Sequence, residues 1–270
     1  MVKILAVGDP HGSEKIKKIP NKGFDFVLLT GDLGKADFAR KFFFDNLERK
    51  REGLPEKDYS KKEAKATYKE IADSTLEVIK YFSKNSSAYS ILGNVGTSMV
   101  RNSEVRKEEK KYGIKLPYLK KEFGKLENFS LVRNRMRKIN GLRVGFLEYF
   151  VDTNWVQDFR PPNYKDRMKK AKEETEKARK ILKGFGKIDI LVCHQPPYGV
   201  LDKVSGKYGA PKDYVGKHAG SKAILAYIKK FQPKYVFCGH IHEGEGMKKI
   251  GKTEVYNLGV AGHKIISVNP

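Results

Sequence analysis

Acidic residues are scarce in this 270-residue chain: 32 Asp and Glu stand against 55 Lys and Arg, a formal charge of +23 at pH 7. The imbalance favours anionic partners; a Lys-rich proteome, with the charge spread over solvated helix faces, produces the same count. Cysteine is sparser still. Cys193 and Cys238 each close an apolar run, which reads as two buried free thiols rather than a disulfide framework and makes a reducing cytoplasm the expected compartment. No apolar run approaches the length of a bilayer span, and Met1-Val2-Lys3 leads straight into a strand-like segment. Neither signal peptide nor membrane anchor is therefore expected. With no internal repeat, coiled-coil heptad or low-complexity linker, the length fits one domain over residues 1–270.

What the chain does have is a design used five times: a short apolar run that ends in a Gly-rich loop carrying ligand-type side chains. Residues 2–7 precede Gly8-Asp9-Pro10-His11-Gly12, and 24–29 precede Thr30-Gly31-Asp32-Leu33-Gly34. Residues 88–92 precede Gly93-Asn94-Val95-Gly96, 188–192 precede Cys193-His194-Gln195-Pro196-Pro197, and 235–237 lead to Gly239-His240-Ile241-His242. Taken singly each has an ordinary use. Asp9 fits a helix N-cap, Asn94 a left-handed turn, His194 a structural histidine, and His-x-His a polar loop. Together they place Asp9, His11, Asp32, Asn94, His194, His240 and His242 at strand ends, where open α/β sheets collect their ligands. Four of the six histidines fall in these loops. Carboxylate, imidazole and amide oxygen suit divalent Mn, Fe, Zn or Ni better than a thiolate site does.

The intervening segments read mostly as scaffold. Residues 35–84 are helical with a break at Gly53-Leu54-Pro55; Ser60 and Glu63 form a capping box, and Tyr68, Ile71, Thr75, Val78 and Phe82 share a face. Residues 100–127 are charged and irregular, an elaboration with a short exposed helix over 104–111. Lys120, Lys121, Arg133, Arg135, Arg137 and Lys138 add positive charge that is either solvated or anion-binding. Asn140-Gly141 turns into a strand over 142–150; 152–163 reads as a long loop beside a pocket, and 164–182 as an amphipathic helix. A Gly- and Lys-rich loop over 200–218, placed to close on an anionic substrate, ends at His218 before a helix over 221–231. Strands over 254–258 and 264–268 close the chain.

The ordered set Asp9-x-His11, Gly31-Asp32, Gly93-Asn94, His194 and Gly239-His240-x-His242 resembles the calcineurin-like metallophosphoesterase family from end to end. The stretch from His194-Gln195-Pro196-Pro197-Tyr198-Gly199 to Gly239-His240-Ile241-His242-Glu243 is similar to a small prokaryotic branch of predicted phosphoesterases. The resemblance implies an α/β fold, a four-layer α/β/β/α sandwich of two mixed sheets, with a dinuclear site at their edge. It implies one metal held by Asp9, His11, Asp32 and His242, a second by Asp32, Asn94, His194 and His240, and Asp32 as the bridge. The implied activity is metal-dependent phosphoester hydrolysis by a metal-bridging hydroxide attacking in line.

One departure matters. The family commonly has a His directly after the Asn of the third block, and this chain has Val95, followed by Gly96 where an acidic residue is often found. An alkoxide leaving group then lacks its usual acid, so activated phosphodiesters are the expected substrates unless His218 or His263 substitutes. His218 joins Asp32 as a candidate catalytic residue, and both substitutes also fit structural roles. Nucleotides and nucleic acids are the anionic partners consistent with +23. The alternative is a weakly active metal-binding scaffold or nucleic-acid-binding protein. Oligomeric state is left open.

Overall fold

The computed structural model describes residues 1–161 and 163–270. Its strands assemble into two mixed sheets. The first has the spatial order β11 (His263–Val268), β1 (Val2–Val7), β2 (Phe26–Leu29), β3 (Ser87–Ser90) and β4 (Phe129–Leu131), parallel except for β11. The second runs β5 (Arg135–Ile139), β6 (Leu142–Leu147), β7 (Ile190–Cys193), β8 (Tyr235–Cys238), β10 (Thr253–Asn257) and β9 (Gly246–Ile250). Its middle four strands are parallel, and the hairpin partners β5 and β9 form antiparallel edges.

Side-chain alternation explains why these strands stack into layers. On β1 and β2, Ile4, Ala6, Phe26 and Leu28 face Val144, Phe146, Ile190, Val192 and Phe237 of the second sheet, forming the core between the sheets. The intervening residues Leu5, Val7, Val27 and Leu29 turn outward onto Ile71, Val78, Ile79 and Phe82 of α2 (Lys61–Ser83). The outer face of the second sheet, Leu191, Cys193, Val236, Cys238 and Val255, is covered by α6 (Tyr164–Phe185) and α7 (Lys222–Phe231). The result is the expected α/β/β/α sandwich. Because the central strands are buried on both faces, they read in sequence as continuous apolar runs. Both thiols are buried and free.

The helix before the second layer, α1 (Asp37–Arg51), buries no residue. It is tied to the loop over 205–215 by a hydrogen bond from Arg40 to the Tyr208 carbonyl and by an Arg51–Asp213 ion pair at 3.1 Å. The Ser60–Glu63 capping box that begins α2 is present in both directions.

Several readings of the sequence need correction. Residues 152–163 are not a plain loop: Asp152 caps α5 (Thr153–Phe159), accepting from Asn154 N at 3.2 Å; Pro162, in the same stretch, lies outside the described residues. The charged region 100–127 contains α3 (Asn102–Tyr112) and α4 (Leu119–Phe123), and Val105, Ile114 and Leu116 bury themselves against Ala64 of α2. Strands β4, β5 and β9 have no counterpart in the sequence reading. Arg135, Arg137 and Lys138 belong to β5, an exposed edge whose charges deter pairing with another chain. No helix among the described residues is long and apolar enough to cross a membrane.

Candidate metal centre

Strands β1, β2 and β3 run parallel to one another, as do β7 and β8, so the loops that follow them emerge in common at the carboxyl ends. The His194 ring joins the two sheets there, its Nδ1 2.9 Å from the Thr30 carbonyl oxygen, while Gly239 N, donating to the His194 carbonyl at 2.9 Å, ties together the loops after β7 and β8 within the second sheet. Asp9 is fully buried; its Oδ1 accepts from Thr30 Oγ1 at 2.9 Å and its Oδ2 from the backbone N–H of His240. Asp32, also buried, accepts from Val95 N at 2.7 Å through Oδ1, leaving Oδ2 toward the histidines.

The backbone is bent to achieve this. His11, Asp32 and His240 hold φ of +47°, +42° and +66°, left-handed conformations that non-glycine residues adopt at a cost of order 1–3 kcal/mol each and retain where function requires them. A Cβ on Gly93 would overlap the Asp32 carboxylate, and one on Gly239 the Asp9 carboxylate. Glycine before Asn94 and before His240 is what lets each acid lie against the neighbouring loop.

Two groups of donor atoms result, Asp9/His11/His242 and Asp9/Asp32/His194. In the first, His11 Nε2 and His242 Nε2 face each other at 3.3 Å, with His242 Nε2 3.4 Å from Asp9 Oδ2. Two ligands about 2.1 Å from one ion stand roughly 3.0–3.4 Å apart, so this separation fits a shared cation. In the second, the Thr30 carbonyl occupies the Nδ1–H of His194, which directs Nε2 toward Asn94 Oδ1 at 2.9 Å and Asp32 Oδ2 at 3.5 Å. Asp32 Oδ2 also lies 3.8 Å from His11 Nε2, between the two groups. His240 stands beside them, its ring centroid 4.9 Å from that of His194. All seven predicted ligand residues thus gather at one place.

The electrostatics ask for positive charge. Burial works against ionisation of Asp9 and Asp32, yet the His194 charge beside them holds both below the usual carboxylate range, with His242 aiding Asp9. Conversely, burial lowers the His194 pKa, but Asp32 and Asp9 outweigh it and lift the value to about 9. His240 is pushed down to about 3 by the packing around it and then by the His194 charge, so its ring stays neutral and available as a donor. Among the described residues, the ion-pair partners of Asp9 and Asp32 are all histidines. Buried carboxylates compensated this way, with imidazole and amide donors turned inward, fit divalent cations.

Two residues near the centre escaped the sequence reading. Tyr149, just past β6, places its ring 5.8 Å from His194 and 5.1 Å from His240, and burial, then Glu174, raises its pKa to about 12. Tyr208 sets its ring edge-on to His242 at 5.3 Å. A Tyr ending an apolar run or sitting in a Gly-rich loop carries no signal of its own. Val95 packs its side chain against the helix-side core. His218 lies outside the ligand cluster, 2.6 Å from Asp202 through Nδ1, and His263 is exposed at the start of β11.

Fold and site together define a two-sheet α/β protein with candidate cation ligands gathered at the strand ends. The family model for calcineurin-like phosphoesterases matches residues 2–244, and the chain belongs to that family. It is similar to metallophosphoesterase domain-containing protein 1 of Homo sapiens, 34% identical over 84 residues, which is 31% of this chain and 23% of the relative. An uncharacterized protein of Methanocaldococcus jannaschii is 41% identical over 69 residues, 25% of this chain and 29% of its own. These alignments thus span about a quarter of the relatives' length. One solved structure superposes at a TM-score of 0.56 with 15% identity, covering 98% of this chain and 94% of its own. The phosphopantetheinyl hydrolase of Mycobacterium tuberculosis superposes at 0.53 with 9% identity, over 99% and 96%. At such identities the likeness is one of fold.

Proposed function

We propose that this protein is a dinuclear metal-dependent phosphoester hydrolase with a preference for phosphodiesters. The observation that carries this reading is the meeting of Asp9, His11 and His242 with Asp32, Asn94 and His194 around two buried carboxylates. One cation would be held by Asp9, His11, Asp32 and His242, and the other by Asp32, Asn94, His194 and His240. The chemistry that divalent ions supply in such a place is activation of water and neutralisation of charge on phosphoryl oxygens. The chain's own part is to fix the donors: Thr30 and the His240 N–H orient Asp9, Val95 N orients Asp32, and the Thr30 carbonyl sets the His194 ring. Tyr208 and Tyr149 wall the centre with aromatic rings.

The diester preference rests on the basic surface; Val95 leaves the ligand loops themselves without a proton donor for a poor leaving group, so any such donor must come from outside them. Nucleotides or nucleic acid are the proposed substrate class, supported by +23 overall and by the exposed Arg135, Arg137 and Lys138 on β5. The test is elemental analysis with an ester screen. Two divalent ions per chain and metal-dependent cleavage of nitrophenyl phosphodiesters are expected, and Asp32→Asn should lose metal from both positions. Full metal content and activity in Asp32→Asn would refute the bridging role.

A further inference from the structure

The ligand loops leave one part of phosphoester cleavage unprovided, the proton for the departing oxygen, and the segment between β7 and α7 holds a buried carboxylate bonded to a histidine. Asp202 is 1% exposed. Its Oδ2 accepts from the backbone N–H groups of Gly199 at 2.9 Å and Gly220 at 3.0 Å, and its Oδ1 lies 2.6 Å from His218 Nδ1. With both oxygens committed, the carboxylate places the proton of the ring on Nδ1 and leaves Nε2 turned away from it. The His218 side chain is 39% exposed. A buried carboxylate that fixes the tautomer of a partly exposed imidazole is the arrangement that positions a general acid or base.

Its location supports that use. Lys203 and His218 are bridged through their backbones, and their neighbours Val204 and Ala219 pack on Ile241, the residue between His240 and His242. Ala219 also lines a cavity of about 10 Å³, the size of one water molecule, with His240, Tyr149 and Gln195. The groups facing the His218 ring are Asp202 and the Tyr198 ring at 5.5 Å; Tyr198 in turn contacts Asp158 through its hydroxyl at 3.5 Å and lies under Lys222 Nζ at 4.7 Å.

We propose that His218 donates the leaving-group proton, in place of the residue after Asn94, and that Asp202 is its positioning residue. This rests on the phosphoester-hydrolase reading. In the step, a water oxygen forms a bond to phosphorus and its proton passes to solvent. The ester P–O bond breaks with its electron pair going to the leaving oxygen, which takes the Nε2 proton of the His218 imidazolium. The imidazole then regains a proton from solvent, so one water is consumed and nothing is oxidised or reduced.

The test is a leaving-group series, from nitrophenyl to alkyl phosphodiesters, on metal-loaded wild type, His218→Gln and Asp202→Asn. The ratio of alkyl to nitrophenyl rates is expected to fall about 100-fold or more in His218→Gln, the contribution of a positioned acid, and the alkaline fall of kcat/KM on alkyl esters should disappear with it. Nitrogen-detected NMR of the neutral ring gives a readout independent of activity: an Nδ1–H tautomer in wild type, displaced in Asp202→Asn. A uniform loss across the series, an unchanged ratio, or an Nε2–H tautomer in wild type overturns the dyad alone. A metal-loaded wild type that cleaves no ester, nitrophenyl included, overturns the hydrolase reading and the dyad's acid role with it. His218 is partly exposed, so His218→Gln keeps the fold even if Asp202→Asn does not.

Discussion

Without bound cations, the protein's stability should fall with rising pH in a window that one residue sets. His194 is completely buried between Asp9 and Asp32, its Nε2 3.5 Å from Asp32 Oδ2 and its Nδ1 3.7 Å from Asp9 Oδ1. Although burial opposes charging the ring, these carboxylates lift its pKa from the ordinary 6.5 to about 9. A group whose pKa is raised on folding contributes stability that is complete below its unfolded value and is lost as pH climbs through the folded one. At about 1.4 kcal/mol per pH unit, the shift amounts to about 3 kcal/mol, lost between roughly pH 6.5 and 9. The same attraction depresses Asp32 and Asp9, so it is counted once. For a chain of this size, that corresponds to a drop in melting temperature of roughly 6 °C or more. Thermal melts in chelator at pH 6 and pH 9.5 would read it, with His194→Gln as the comparison, since the variant lacks the titrating ring. Equal pH dependence in the two proteins would refute the reasoning. With metal present the sign of the linkage reverses for binding: the cation must displace that proton, so affinity should rise with pH over the same interval.

In Gly239→Ala the added Cβ meets the Asp9 carboxylate, so metal content should fall below that of wild type, with a stability loss of about 1–3 kcal/mol measured by urea titration; full occupancy would show that Asp9 has room to move. In chelator, acid should also destabilise the protein as pH drops below the ordinary 3.8 of Asp9 and Asp32, whose folded pKa values are depressed, and Asp9→Asn should blunt that acid limb. If the basic surface recruits nucleic acid, RNA affinity should fall steeply and linearly in log–log plots against salt, with a slope reporting the number of phosphates contacted; absence of binding at low salt would assign the charge to solvated helix faces instead.

The central strands and the candidate ligand loops were legible in the sequence because their causes are local. Buried parallel strands must be continuously apolar, and a loop that brings a carboxylate or imidazole against another backbone needs glycine beside it, so residues 2–12, 24–34, 88–96, 188–197 and 235–242 announced themselves. The capping box of Ser60 and Glu63 is equally local and was equally plain. Strands β4, β5 and β9 were not, since so short a segment, largely exposed and charged in β5 and β9, becomes a strand only when a neighbouring edge offers its hydrogen bonds. Likewise Val105, Ile114 and Leu116 show no period of their own, and it is packing on Ala64 that orders them. The sequence alone determined which residues could offer donor atoms, because residue type sets donor chemistry. Only the tertiary structure decided how they meet: that His11 faces His242, that Tyr149 lies against His194 and His240, and that Asp202 reaches His218 across the loop. Distances between side chains far apart in the chain depend on how two sheets stack and how loops close, and no single segment encodes them.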